Sequence, residues 1–81
     1  FNQGEMCSAA SRLLAQESVL ERLVERIVEI GRGMAPGDPL DPATRVGALV
    51  DRGQLDTVMG FIEAGRSEGA RLRLGGARVR E

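Results

Sequence analysis

The chain has no lysine, histidine, tryptophan or tyrosine, and only one cysteine and two phenylalanines in 81 residues. Without lysine, no Schiff base or amine nucleophile can form within it. Without histidine, a Cys-His or Ser-His dyad and any histidine-bearing metal site are excluded. A lone cysteine leaves no internal disulfide, which suits a reducing cytosol, so we expect a cytoplasmic protein. Arg71, Arg73, Arg78 and Arg80 have no aromatic residue among them to stack on nucleic-acid bases. The net charge of −1, from 11 basic and 12 acidic residues, gives no long-range field toward nucleic acid or anionic membrane. No apolar run approaches the roughly 18–20 residues that span a bilayer, and no signal-peptide pattern opens the chain. Neither nucleic acid nor membrane is expected as a partner.

What remains is an aliphatic core built from Leu, Val, Ile, Ala and Met. A domain of this size buries only about 60–65% of the surface that its unfolded chain exposes, so its stability is marginal. The sequence opens at Phe1 without an initiator methionine. From these features we expect a fragment of a larger α/β protein.

Residues 11–16 form a short, largely apolar run that we read as a strand. Ser18 and Glu21 have capping-box spacing, which predicts a helix over about 18–32. Val19, Leu20, Leu23, Val24, Ile27 and Val28 recur on one face of it. Arg22, Glu25, Arg26 and Glu29 lie on the other, where Arg22–Glu25 and Arg26–Glu29 can pair at three-residue spacing. Gly31 and Gly33 supply its stop. Residues 33–44 carry Gly33, Pro36, Gly37, Pro39 and Pro42, a density of breakers that no regular element survives. Three prolines also remove backbone donors that a phosphate loop requires, and no Gly-Lys-Ser/Thr follows.

Residues 46–50 form a brief apolar, extended stretch. Asp51 caps a second helix over about 52–66, with Gln54 at capping-box spacing and Leu55, Val58, Met59 and Ile62 as its apolar stripe. Gly65 or Gly69 ends it. Residues 70–74 alternate with period two, as a half-buried strand does, and Gly75-Gly76 closes them. Strand, helix, extended segment, helix, strand predicts an α/β layered unit with a largely parallel sheet.

Chemistry concentrates at Cys7, in Phe1-Asn2-Gln3-Gly4-Glu5-Met6-Cys7-Ser8-Ala9-Ala10. A glycine and an acid stand ahead of the thiol and small residues follow it, which leaves a sulfur open to a carbonyl group and to main-chain donors. This stretch resembles the nucleophile segment of the aldehyde dehydrogenase superfamily. Similar wording continues in Pro36-Gly37-Asp38-Pro39-Leu40-Asp41-Pro42-Ala43-Thr44, in Gly47-Ala48-Leu49-Val50, at Gln54, and from Glu68-Gly69-Ala70 to Gly75-Gly76. Ala10 departs from the pattern, since many members carry glycine there. Within the family, Gly4-Glu5-Met6-Cys7 and the proline-rich loop look most like bacterial enzymes for aminoaldehydes such as γ-glutamyl-γ-aminobutyraldehyde.

The resemblance implies part of a catalytic domain, with NAD or NADP bound mainly by a dinucleotide-binding domain outside these residues. It implies that the Cys7 thiolate attacks an aldehyde to give a thiohemiacetal. Hydride loss to the nicotinamide then leaves a thioester, which water hydrolyses to a carboxylic acid. The backbone N–H of Cys7 is the oxyanion donor that this stretch offers. The family's second donor, an asparagine, and its water-activating glutamate lie upstream. The resemblance further places Phe1, Met6 and Ser8 along the aldehyde pocket and Gln54 near the cofactor ribose. Glu5 occupies a position where the family uses glutamine or glutamate interchangeably, which implies a positional role and not that of a base. Members are commonly dimers or tetramers.

Each assignment has a structural rival. Cys7 could be an inert buried thiol, Met6 and Phe1 simple packing, and Gln54 only part of the helix cap. For the whole chain, the rival is a small non-catalytic α/β interaction domain that presents its two amphipathic helices. A cysteine hydrolase or peroxidase is disfavoured because no histidine can serve the thiol.

Overall fold

A computed structural model describes residues 2–79 of the chain. They fall into two units, Phe1–Gly47 and Ala48–Glu81.

The first unit opens on two consecutive tight turns. Glu5 N–H donates to Asn2 C=O at 3.0 Å, and Ala9 N–H donates to Met6 C=O at 2.9 Å. The first turn is left-handed: Asn2, Gln3 and Gly4 have φ of 49°, 56° and 80°. Glycine adopts that region freely, whereas an L side chain pays roughly 1–2 kcal/mol for it.

Helix α1 runs Glu17–Arg32. Its middle is Leu, Val, Ile, Glu and Arg with no glycine before Gly31, and the apolar residues return every three or four positions. The cap differs from the one that the sequence suggested. Gln16 is the N-cap and makes no side-chain cap bond, so Ser18 sits one turn-position inside the helix. The first turn is held instead by Val19 N–H donating to Gln16 C=O at 3.1 Å. Glu17 at the first helical position lies where the N-terminal dipole favours a negative charge. Of the two expected ion pairs, Arg26 and Glu29 meet, while Arg22 and Glu25 do not. The pair is exposed, so it adds little. Gly33 and Met34 close the far end through bonds to Ile30 and Gly31 carbonyls.

The proline-rich segment after α1 is shaped by its own aspartates. Asp38 Oδ1 accepts from Leu40 N–H and Asp41 Oδ1 accepts from Ala43 N–H, both at 2.9 Å, two side-chain-closed turns in series. Gly37 N–H donates to Val46 C=O at 3.0 Å, beside a single parallel bridge between Pro36 and Val46. A methyl group on Gly37 would stand 2.6 Å from Thr44 Oγ1, so glycine is what permits that closure.

In the second unit, helix α2 runs Arg52–Ser67. Asp51 Oδ1 accepts the Gln54 backbone N–H at 2.8 Å and sets its start. Arg52 Nε reaches Asp56 at 2.9 Å, and the Thr57 hydroxyl donates to Gly53 C=O at 2.9 Å. Of the two glycines that could end it, Gly69 does so. With φ +95°, it turns the chain so that Ala70 N–H reaches Gly65 C=O at 2.9 Å and Gly69 N–H reaches Arg66 C=O at 3.0 Å. These are the two bonds of a Schellman stop. Leu55, Val58, Met59 and Ile62 are half-buried, whereas Phe61, off that stripe, is 76% exposed.

No side chain is buried among the described residues. On α1, Leu23, Val24 and Val28 are half-buried, and Val19, Leu20 and Ile27 are exposed. Each such side chain, fully covered, is worth about 1.5–3 kcal/mol, and helices of this length draw most of their stability from that covering. Among the described residues the Pro36–Val46 bridge is the whole of the strand pairing. Residues 11–16 and 70–74 therefore carry no ladder. A strand exists only beside another strand, and a two-stranded pair is itself marginal in water.

Candidate active site

The turn from Met6 to Ala9 carries the candidate nucleophile. Ala9 N–H closes it onto Met6 C=O, which puts Cys7 and Ser8 at its two central positions. The N–H of the first central residue of such a turn points away from the closing bond. Accordingly, Cys7 N–H has no backbone acceptor among the described residues. Its thiol is free and exposed.

Met6, Cys7 and Ser8 are brought together in one turn, with Met6 39% exposed and Ser8 open to solvent. Both flanking side chains are thus at hand for a molecule that approaches the sulfur. Glu5 is exposed two residues before the thiol, and its backbone N–H is spent on the preceding turn. No hydrogen bond links its carboxylate to Cys7. Phe1, also expected along the pocket, lies outside the described residues. Ala10 follows the turn directly, exposed and in irregular backbone.

Gln54 belongs to the second unit, on the first turn of α2. Its contribution to the cap is made by its backbone alone. The return bond that a full capping box requires, from Asp51 N–H to its carboxamide oxygen, is not formed, which leaves the half-buried carboxamide uncommitted among the described residues.

Gln3 lies within the motif around Cys7 and Gly47 within the family's downstream wording, but no sequence pattern linked the two. Asn2 and Gly4 are residue types that enter left-handed turns readily, a usable signal for the turn itself. Glutamine has no such habit, and the proximity of Gln3 to Gly47 spans more than forty positions.

Among the described residues, no cluster of acids and cysteine could hold a metal ion. No described helix is long and apolar enough to cross a membrane.

Comparison with known proteins settles the family. The family model described as "Aldehyde dehydrogenase family" matches residues 1–81. The chain belongs to the aldehyde dehydrogenase family. It is 46% identical over 78 residues to aldehyde dehydrogenase B of Escherichia coli, covering 96% of this chain and 15% of that protein. It is 46% identical over 76 residues to betaine aldehyde dehydrogenase of Brucella anthropi, covering 94% of this chain and 16% of that one. Human retinaldehyde dehydrogenase 3 matches at 41% over 81 residues, all of this chain and 16% of its own length. The chain thus spans 15–16% of the length of these relatives. Identity stays within a few per cent between relatives named for betaine aldehyde and for retinaldehyde.

Proposed function

We propose that this chain is the nucleophile-bearing part of an NAD- or NADP-dependent aldehyde dehydrogenase that converts an aldehyde to a carboxylic acid, with Cys7 as its catalytic residue. The observation that carries the reading is the family match across residues 1–81, with the chain's one thiol at the centre of a tight turn whose own N–H is unspent. The reacting species is the thiolate, formed when a base takes the Sγ proton; with no histidine in the chain, that base is solvent or a group outside these residues. The sulfur lone pair forms a bond to the carbonyl carbon, and the C=O π pair moves onto oxygen. Cys7 N–H is then placed as one fixed donor to the oxyanion. A second donor and the carboxylate that activates hydrolytic water would come from outside the chain.

NAD and NADP fit these residues only as something they help to hold. The described residues form no phosphate cradle, and the uncommitted, half-buried Gln54 carboxamide is a group suited to a ribose hydroxyl. When bound, the nicotinamide supplies the hydride acceptor that converts the adduct on Cys7 to a thioester. Met6 and Ser8, on either side of the sulfur, would shape the near end of the aldehyde pocket, with Phe1 beside them. The motif's wording favours an aminoaldehyde as substrate.

The half-open stripes of α1 and α2 support a layered α/β catalytic domain in which further strands and helices of a longer chain complete a largely parallel sheet. In that setting residues 11–16 and 70–74 would find strand neighbours. A cytoplasmic dimer or tetramer fits the lone free thiol and the family. No observation favours the small interaction-domain alternative.

The deciding experiment is Cys7→Ala in the full-length enzyme. Aldehyde oxidation should fall to background while NADH binding, followed by its fluorescence, stays near wild type. Substantial turnover by that variant would remove Cys7 from the mechanism.

A further inference from the structure

We propose that Gln3 is a positioning residue for Cys7, held by the seat of its side chain against Gly47. The inference rests on Cys7 being the nucleophile.

Two observations carry it. A methyl group built on Gly47 would stand 2.9 Å from Gln3 Nε2 and 3.9 Å from its Cδ, so the carboxamide occupies the space that the missing Cβ leaves. Gln3 is also the single half-buried residue between positions 2 and 14, and it holds φ 56°, ψ 20°. A glutamine left to itself would relax from that conformation. A side chain seated against Gly47 opposes the relaxation.

The link to the sulfur is through the two turns. Gln3 is central to the Asn2–Glu5 turn, and the next turn begins at Met6 and carries Cys7. If Gln3 reverted to a right-handed conformation, the chain would enter the Cys7 turn from a different direction. The sulfur and the Cys7 N–H would move together away from a carbonyl held by the rest of the enzyme. The contact therefore ties the segment after the proline-rich loop to the aim of the nucleophile.

The test is a double-mutant cycle in the full-length enzyme with Gly47→Ala, Gln3→Ala and both together. It reads kcat, KM for the aldehyde, and the rate at which iodoacetamide inactivates the enzyme through Cys7. A misplacement of about 1 Å can cost 10²-fold, so a partial loss of aim should lower kcat and alkylation roughly tenfold in each single variant, with KM near wild type. Because both act through one contact, the double variant should be no worse than either single one. Independent effects would multiply to roughly a hundredfold, and that result would overturn the inference. So would a Gly47→Ala enzyme with wild-type kcat and alkylation. Should Gly47→Ala fail to fold, Gln3→Gly decides, because glycine keeps the left-handed turn while removing the side chain. Its kcat should stay well above that of Gln3→Ala, since the turn survives without the side chain; an equal loss in both would sink the proposal. Turnover surviving in Cys7→Ala would instead strike the nucleophile assignment itself, whatever the coupling between Gln3 and Gly47.

Discussion

Asp51 Oδ1 accepts the backbone N–H of Gln54 at 2.8 Å, and that one bond fixes where α2 begins. No corresponding side chain holds the start of α1. The two helices have equal lengths and unequal beginnings, which makes them a controlled pair.

Asp51→Ala should therefore weaken α2 by about 1 kcal/mol, the usual cost of a lost N-cap. Ser18→Ala, inside α1 and not at its cap, should stay within about 0.5 kcal/mol. Far-UV circular dichroism of the 81-residue chain compares them directly: only the first variant should lose helical signal. Equal losses would restore Ser18 as a cap.

Two glycines of the second unit should respond with opposite signs. Gly60 lies inside α2 with open space where a Cβ would go, so Gly60→Ala should raise helix stability by about 1 kcal/mol. Gly69, at φ +95°, closes the helix in a conformation that alanine resists. Gly69→Ala should cost about 1–2 kcal/mol. Thermal loss of helicity in the two variants should move to opposite sides of wild type.

Glu5→Gln in the full-length enzyme should change kcat only several-fold. Glu5 is exposed and makes no hydrogen bond to Cys7, and what holds it in place is its backbone N–H. General-base catalysis contributes typically about 10²–10⁴-fold, so a loss of that size would assign Glu5 as the base after all.

The 81-residue chain by itself should bind a hydrophobic dye, melt broadly and produce no NADH from propionaldehyde. Its described side chains are all at least partly exposed, and the apolar stripes of both helices stand open. Uncovered helices of this length are marginal in water. A sharp two-state melt from a monodisperse monomer would instead favour a self-sufficient interaction domain.

Features closed within a few residues were legible in the sequence. The cap at Asp51 is one, because donor and acceptor lie three positions apart. The end of α2 was legible only as a choice between Gly65 and Gly69, which the structure decides because Gly69 takes the left-handed turn. At α1 the same reasoning chose Ser18 as the cap, and the cap lies two residues earlier, since a backbone carbonyl at Gln16 can start a helix with no help from a side chain. Cys7 stood out through its neighbours, but the turn that exposes it did not, because Met6–Ala9 has no obligatory turn residue. The contact of Gln3 with Gly47 left no local trace. Sheet pairing was least accessible: residues 11–16 and 70–74 have suitable patterns, yet pairing depends on which backbone lies alongside.

Phe61, standing clear of the α2 stripe at 76% exposure, offers an optical handle on a molecule with no indole of its own. A tryptophan at that position would be the sole strong fluorophore of the 81-residue chain, and its emission would begin at the red end characteristic of a ring in water. A blue shift on adding any other part of the polypeptide would then report, without labels or activity, the moment at which that side of α2 is covered.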